Sequence, residues 1–295
     1  MAPVQSFTPK AVMETIEASR CAAVLGVPTM FIAELEEMEN RAYDTSKLRT
    51  GVMAGSPCPI EVMKSVVGKM GASEMTIVYG QTEASPGITQ TRAEDSLELR
   101  VTTVGRALPN VEVMIVDPAT GLECERGVQG ELCSRGYHVM SGYYRMPEAT
   151  AKTVDKDKWL HTGDLAVMDE NGYCKITGRM TDMIIRGGEN IYPREIEEFL
   201  YTHPKIKDVQ VVGVPSVKYG EEVVAYVQMK PDMESSDEEL KEFCKEKIAF
   251  HKTPAFFLFI DEYPATASGK IQKYKLREQA TLELQREEAA NIATA

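Results

Sequence analysis

The stretch from Trp159 to Glu197 concentrates polar residues of the kinds that hold a nucleotide. It carries Thr162-Gly163-Asp164, where a strand is expected to begin, then Arg179, then Gly187-Gly188-Glu189 ahead of a helix that Pro193 opens. The Asp164 carboxylate can accept hydrogen bonds from both hydroxyls of a ribose, and the Arg179 guanidinium can donate to sugar or phosphate. The spacing alone is equally compatible with a surface hairpin that bears an exposed acid and a cap.

Two further polar groups follow short apolar runs and therefore lie on loops that leave buried strands. In Tyr79-Gly80-Gln81-Thr82-Glu83 the aromatic face suits stacking on a base, and the carboxylate suits Mg²⁺, which prefers oxygen ligands beside phosphates. In Gly55-Ser56-Pro57 the glycine lets the backbone approach a flat ring closely. The alternative for the first loop is a polar segment with a helix cap, and for the second an ordinary turn.

Lys270 follows the flexible pair Ser268-Gly269. A mobile lysine could offset the repulsion between an attacking carboxylate and an α-phosphate. The residues alone favour a solvated basic run formed by Lys270, Lys273 and Lys275. The double glycine Gly187-Gly188 would let the backbone approach a thin ligand closely.

Together with Pro264-Ala265-Thr266-Ala267-Ser268-Gly269-Lys270-Ile271, these motifs resemble those of the adenylate-forming enzymes, which include acyl-CoA synthetases, luciferases and peptide-synthetase adenylation domains. The matches follow the family's order and span most of the chain. The resemblance is strongest to medium-chain acyl-CoA ligases of the mitochondrial type. It implies that a carboxylic acid and ATP, with Mg²⁺, give an acyl-adenylate and pyrophosphate, and that CoA then gives the thioester and AMP.

The resemblance implies a nucleotide site made of the loop Tyr79-Gly80-Gln81-Thr82-Glu83, the loop Gly55-Ser56-Pro57, Asp164 and Arg179. In the first loop the tyrosine would stack on adenine, the threonine would contact phosphate, and the glutamate would serve the metal. The second loop would form a wall of the adenine pocket.

The resemblance also implies roles for residues near the C-terminus. Lys270 would be the lysine that catalyses adenylate formation. Gly187-Gly188-Glu189 would contact the pantetheine arm of CoA during thioester formation. Asp182 would be the hinge on which a C-terminal domain turns between the two steps.

The elements that must position these residues fall into three patterns. Over residues 1–100, alternating helices and buried strands predict a parallel sheet with covering helices, whose ligands bind at the carboxyl ends of the strands. Over residues 101–181, short strands with Gly-rich or Asp-rich turns predict a small antiparallel β subdomain. The pattern over residues 182–295 predicts a smaller α+β domain, and the resemblance implies that this domain is mobile. The predicted fold is thus a partial α/β domain followed by an α+β domain.

The family's Ser/Thr/Gly-rich phosphate loop ending in Pro-Lys is not found among the 295 residues. We therefore expect the chain to correspond to the C-terminal half of a family member and to make little acyl-adenylate by itself. Two alternatives stay open. One is an enzyme that adenylates aryl or amino acids with the same motifs, and the other is a non-catalytic product that keeps the nucleotide-contacting residues.

The net charge and the distribution of apolar residues limit the kinds of molecule with which the chain is expected to interact. A formal net charge of −12 argues against nucleic acid as a partner, and no apolar run approaches the ~20 residues that span a bilayer. The cysteines and histidines are scattered without ligand spacing, so the sequence indicates a reducing compartment and argues against metal ligation by either residue type. No targeting signal is recognised, since Glu14 and Glu17 are unlike a transit peptide; the resemblance implies the mitochondrial matrix.

Overall fold

The computed structural model describes residues 1–56, 58–266 and 271–285. By contacts the chain divides into two compact units, Met1–Ile176 and Thr177–Ala295. Pro57 and Lys270, which the family resemblance assigns to the site, lie outside the described residues. The domain limits expected from the sequence, near residues 101 and 182, stay a prediction.

The first unit begins with a mixed sheet. Its helices are α1 (Pro9–Ser19), α2 (Pro28–Asn40), α3 (Ile60–Ser65), α4 (Leu97–Thr102) and α5 (Pro147–Thr153). Its first strands, in spatial order, are β1 (Ala23–Gly26), β2 (Thr50–Ala54), β3 (Glu74–Tyr79), β4 (Thr89–Gln90) and β5 (Arg106–Ala107). The pairs β1–β2 and β2–β3 are parallel as predicted, whereas β4 and β5 are short antiparallel additions.

Local sequence explains where these helices start and what they bury. The Thr8 hydroxyl caps α1 by accepting the Ala11 N–H at 3.2 Å, and Pro9 supplies the fixed φ of the first turn. On α1, Met13 and Ile16 turn inward to a core that includes Phe31 and other apolar side chains. This core packs against the sheet whose strands β2 and β3 lead into the polar loops that begin at Gly55 and Gly80.

A second sheet lies largely in the first unit, and its last strand continues into the second. It is antiparallel with strand order β6 (Val111–Val116), β7 (Gln129–Gly136), β8 (Leu160–Met168) and β9 (Cys174–Arg179). The turn between β8 and β9 is closed by a 3.0 Å hydrogen bond from the Gly172 N–H to the Asp169 carbonyl, so the two strands form a hairpin. An antiparallel sheet of the kind that the sequence predicts is therefore present, and its first strand begins at Val111.

The second unit has a sheet covered on both faces. Its strands are β10 (Ile184–Arg186), β11 (Glu189–Ile191), β12 (Ile206–Ser216), β13 (Gly220–Met229) and β14 (Phe256–Phe259), in the order β11-β10-β13-β12 with β14 beside β13. Its helices are α6 (Pro193–Leu200), α7 (Asp237–Cys244) and α8 (Lys273–Glu283). Alternate residues of β12 and β13 enter two cores, so that Val211 joins residues of α6 and α7 while Val212 joins Leu276 of α8.

This α+β unit confirms the fold class expected for the last third of the chain. The hydroxyl of Ser236 caps α7 by accepting the Glu239 N–H at 3.2 Å, as the capping-box pattern predicts. Within the described part of the chain, no helix combines the length and apolarity needed to cross a membrane.

Candidate functional site

The two polar loops of the first sheet leave neighbouring parallel strands at the same edge. Ala54 of β2 pairs with Val78 of β3, so Gly55 and Tyr79 follow side by side. Gly55 has φ +91, a left-handed conformation that favours glycine, and a Cβ there would lie 3.2 Å from Val27. The register therefore places both loops at the same edge of the sheet.

Gly80 is fixed by close backbone packing. A Cβ on Gly80 would lie 1.6 Å from the carbonyl oxygen of Pro86, so only glycine fits. The Ile88 N–H donates to the Tyr79 carbonyl at 2.8 Å, which folds the loop back on its strand. Gln81 then precedes a short 3₁₀ turn, Thr82–Ala84, in which Thr82 is exposed. This turn presents Thr82 and Glu83 beyond the strand end.

Glu83 is held by a tyrosine that sequence reasoning missed. The Tyr143 hydroxyl donates to Glu83 Oε1 at 2.7 Å, and the Met140 N–H donates to the Glu83 carbonyl at 2.8 Å. The hydrogen bond to Glu83 raises the pKa of the Tyr143 phenol. Because 60 residues separate the pair, no local signal in the sequence points to Tyr143.

Asp164 lies in the middle of a strand rather than at its start. β8 begins at Leu160, so the expectation that Thr162-Gly163-Asp164 opens the strand is wrong. On β7, Glu131 and Cys133 pair with Leu165 and His161 of β8, so that residues 162–164 face Leu132 alone. This bulge, which includes Gly163 at φ +70, redirects the side chain of Asp164.

The bulge brings Asp164 to the loop after β3. The Tyr79 hydroxyl donates to Asp164 Oδ2 at 2.7 Å, although the two residues are 85 positions apart. Asp164 is 5% exposed, and its N–H donates to Thr162 Oγ1 at 3.1 Å. The structure thus joins two of the residues that the sequence assigned to one nucleotide site.

Behind the bulge lies a group of three side chains that sequence spacing did not reveal. Glu131 Oε1 accepts the Gly163 N–H at 2.9 Å, and Glu131 Oε2 lies 2.8 Å from His161 Nδ1. Cys133 Sγ lies 3.4 Å from the same ring nitrogen. Burial raises the pKa of the Cys133 thiol.

In the second unit, Gly187 and Gly188 form a two-residue hairpin turn between β10 and β11. Both have positive φ, +61 and +87, and Arg186 pairs with Glu189 on either side, as in the tight turns that favour glycine at both central positions. The Gly187 N–H donates to the Tyr219 carbonyl at 2.8 Å. The glycines therefore have a conformational reason to be present, and Glu189 is exposed beside them.

The remaining predicted residues of this unit lie near its start. Arg179 is exposed at the end of β9, and Asp182 is half-buried in a 3₁₀ turn, where it accepts a 3.3 Å bond from the Thr181 hydroxyl. These positions leave the ligand role of Arg179 and the hinge role of Asp182 as predictions.

The chain on both sides of Lys270 is well anchored. Ala265 and Ile271 form an antiparallel bridge, and the Gln272 N–H donates to the Pro264 carbonyl at 2.8 Å. Lys273 is half-buried and forms a 2.5 Å ion pair with Glu197. A wholly solvated basic run is therefore a wrong description of Lys273.

Comparison with known proteins gives the family. The AMP-binding enzyme model matches residues 1–144, and the AMP-binding enzyme C-terminal domain model matches residues 195–270. YngI of Bacillus subtilis (strain 168), a provisionally named acyl-CoA synthetase, is 63% identical over 284 residues, which are 96% of this chain and 52% of YngI. The mitochondrial medium-chain acyl-CoA ligase ACSF2 of Bos taurus is 46% identical over 273 residues, 92% of this chain and 44% of ACSF2.

Solved structures agree. ATP-bound MatB from Rhodopseudomonas palustris superposes with a TM-score of 0.87 at 32% identity, covering 94% of this chain and 54% of MatB. The chain spans about half the length of each of these relatives. Two family models in the expected order, high identity over nearly the whole chain and a shared fold lead to one conclusion: this chain belongs to the AMP-binding enzyme family.

Proposed function

We propose that this chain forms the C-terminal part of an AMP-forming acyl-CoA ligase. The overall reaction joins a fatty acid to CoA at the expense of ATP, through an acyl-adenylate. The support is family membership, together with the names of the acyl-CoA synthetase and ligase relatives. A medium-chain fatty acid as the substrate rests on the name of ACSF2 alone.

The observation that carries the proposal is the 2.7 Å hydrogen bond from Tyr79 to Asp164. It fixes an aromatic ring and a carboxylate next to each other at the carboxyl end of β3. The ring offers a face for adenine, and a carboxylate accepts several hydrogen bonds at once, so Asp164 can receive those of a ribose. Tyr79 and Asp164 together would thus provide a ring to stack on the adenine and a carboxylate to bind the ribose of an adenosine moiety.

The phosphate end of the nucleotide would lie near the turn Thr82–Ala84. Mg²⁺ is usually held by one or two carboxylates plus substrate phosphates, so the carboxylate of Glu83 alone fits that need. Tyr143 keeps that carboxylate in one orientation through its hydrogen bond. When bound, the cation would neutralise charge on the phosphates of ATP. The exposed Thr82 would donate its hydroxyl to a phosphate.

The second unit would serve both half-reactions. Lys270 would stabilise the developing charge while the carboxylate attacks ATP, and Gly187-Gly188-Glu189 would contact CoA in the thioester step. Asp182 would be the hinge between them. We therefore expect Asp182→Pro, which fixes φ, to impair thioester formation more than adenylation in a full-length enzyme.

The adenosine site is tested by calorimetric titration of AMP into the 295-residue chain and two variants. Asp164→Asn should weaken AMP binding about tenfold or more, because a hydrogen bond to a charged acceptor contributes about 1.5–3 kcal/mol. Asp157→Asn, an exposed aspartate just before β8, is the matched control and should bind AMP as the parent does. Equal AMP affinity of Asp164→Asn and the parent would remove the proposed site.

The reaction and the substrate class need a complete enzyme. We propose a chimera in which this chain replaces the matching 52% of YngI, with YngI itself as the active reference. Pyrophosphate release with straight-chain acids of medium length, followed by CoA-dependent thioester formation, is the expected result. Release with aryl or amino acids alone would instead favour the alternative adenylating enzyme.

The compartment is a separate proposal. A mitochondrial location is proposed by analogy with the name of ACSF2, whereas YngI comes from a bacterium. Fractionation of cells that produce the protein from its own gene decides whether the protein is mitochondrial.

A further inference from the structure

Three side chains with metal-binding atoms converge on one face of β7 and β8, outside the nucleotide residues. Cys133 of β7 is the direct partner of His161 of β8. Glu131 lies two residues from Cys133 on β7, so both side chains point to the same face. One carboxylate oxygen, the sulfur and one ring nitrogen all lie within 4.8 Å of one another.

The distances are close to those of a tetrahedral zinc site. With metal–ligand bonds of roughly 2.0–2.3 Å, a nitrogen and an oxygen ligand lie about 3.3 Å apart, and a nitrogen and a sulfur ligand about 3.6 Å apart. Here His161 Nδ1 lies 2.8 Å from Glu131 Oε2 and 3.4 Å from Cys133 Sγ. Small movements of the side chains would therefore admit a cation.

The surroundings of these three groups also suit a metal. Metal-bound histidine usually directs its other ring nitrogen at a carboxylate, and His161 Nε2 lies 3.8 Å from Asp155 Oδ2. The second oxygen of Glu131 is already held by the Gly163 N–H at 2.9 Å. Cys133 is fully buried, whereas the His161 side chain is 34% exposed and gives a path from solvent.

We propose that Glu131, Cys133 and His161 bind one divalent transition-metal ion of the zinc type, with solvent in the fourth position. The thiolate is a soft ligand and the imidazole a borderline one, which selects Zn²⁺ or Co²⁺ over Mg²⁺ and Ca²⁺. A divalent ion with one carboxylate, one thiolate and one neutral imidazole has no net charge. A site of balanced charge is compatible with its burial.

Binding of the metal ion displaces protons from His161 Nδ1 and from the Cys133 thiol. Without metal, the His161 Nδ1–H donates to Glu131 Oε2 and Cys133 is a thiol. The cation takes the place of the proton on Nδ1, the imidazole carries its proton on Nε2 facing Asp155, and the thiol proton passes to solvent. Binding therefore releases one proton per metal ion.

The direct test is titration of the 295-residue chain with Co²⁺. The expected spectrum contains a thiolate-to-cobalt charge-transfer band in the near ultraviolet and intense visible bands typical of a tetrahedral ion. Both should saturate at one Co²⁺ per chain and disappear when Zn²⁺ is added. A folded parent chain that shows no charge-transfer band would overturn the proposal.

Variants separate this site from other thiols. Cys133→Ala should lose the charge-transfer band, whereas the matched control Cys124→Ala, a half-buried cysteine outside the cluster, should keep it. Retention of the band by Cys133→Ala, or its loss in a folded Cys124→Ala, would contradict the assignment.

Substitutions at two positions that are less buried than Cys133 test the metal site without disturbing the core. His161→Gln should weaken Zn²⁺ binding by more than about 100-fold, and Asp155→Asn by roughly 10- to 100-fold, the scale for losing the partner of a ligating histidine. Both are measured by competition with a chromogenic zinc chelator, with folding checked by circular dichroism. Unchanged Zn²⁺ affinity in folded His161→Gln would overturn the proposal even if Cys133→Ala does not fold.

Discussion

The Glu131 carboxylate accepts a 2.9 Å hydrogen bond from the backbone N–H of Gly163, across β7 and β8. Gly163 lies in the bulge that directs Asp164 toward Tyr79, so Glu131 is placed to hold the bulge in its observed form. Glu131 is also a ligand in the proposed metal site. Two substitutions separate these roles.

Glu131→Ala should weaken AMP binding about tenfold, because the half-buried Gly163 N–H then loses its charged acceptor, which costs about 1–3 kcal/mol and releases the bulge. Glu131→Gln keeps an amide oxygen for the Gly163 N–H, so most of the AMP affinity should remain while Zn²⁺ binding falls. Calorimetry with AMP and chelator competition with Zn²⁺ provide the two measurements. If Glu131→Ala binds AMP as the parent does, Glu131 does not position Asp164.

Gly80→Ala should destabilise the first unit by about 2–3 kcal/mol. The new Cβ would lie 1.6 Å from the Pro86 carbonyl oxygen, and backbone cannot yield to it by changing a rotamer. Trp159, the chain's single tryptophan, lies in this unit and reports its unfolding in urea by fluorescence.

The matched control for that substitution is Gly68→Ala. Gly68 is an exposed glycine in a helical turn, and a methyl group added there would meet no atom within 4 Å beyond its chain neighbours and the backbone of its own turn. Its replacement should raise stability by roughly 0.5–1 kcal/mol, because alanine restricts the unfolded chain. Similar urea midpoints for the two variants would show that the approach to Pro86 is not limiting.

Lys273→Met should destabilise the second unit by about 2–3 kcal/mol. Its Nζ lies 2.5 Å from Glu197 Oε1, which also accepts the Val211 N–H at 2.8 Å. Since the Glu197 side chain is only 10% exposed, removing its cation leaves a poorly solvated charge. Hydrogen exchange of β12 peptides measures the loss.

Lys275→Met on the same helix is the control, because Lys275 is exposed, and should leave exchange in β12 unchanged. Adding Glu197→Gln to Lys273→Met should restore part of the lost stability, since no unpaired charge then remains. Equal exchange in Lys273→Met and Lys275→Met would mean that the ion pair contributes little.

The sequence predicted the secondary-structure elements and the residue types of the site better than it predicted which side chains contact one another there. Tyr79 and Asp164 stand out because an aromatic ring and a carboxylate follow or interrupt apolar strands. Tyr143, which binds Glu83, does not stand out, because its role depends on how a distant loop folds over the 3₁₀ turn. Local pattern contains no information about such a contact.

The group formed by Glu131, Cys133 and His161 shows the same limit more sharply. Scattered cysteines and histidines gave no ligand spacing along the chain, and 28 residues separate Cys133 from His161. Only the register of β7 with β8 makes them neighbours, and the bulge shifts that register. Strand register depends on tertiary packing, so the residues could be identified one by one but not as a group.

Glu34 on α2 should make the first unit less stable as pH rises. It is 3% exposed, and burial raises its pKa from 4.5 to about 7. Among the described residues, its Oε2 has no hydrogen-bond partner. Between these two values the folded state binds more protons than the unfolded state, so the free energy of unfolding falls with increasing pH.

The full penalty should be present above about pH 7 and absent below about pH 4.5, and it amounts to about 3 kcal/mol at roughly 1.4 kcal/mol per pKa unit. Glu34→Gln stays neutral, so it should exceed the parent's stability by up to that amount at about pH 8 and match it at about pH 4. The exposed Glu39→Gln on the same helix should follow the parent at both values. Urea unfolding followed by Trp159 fluorescence provides the comparison. If the free energies of unfolding of the parent and of Glu34→Gln change equally between the two pH values, then ionisation of Glu34 does not destabilise the folded unit.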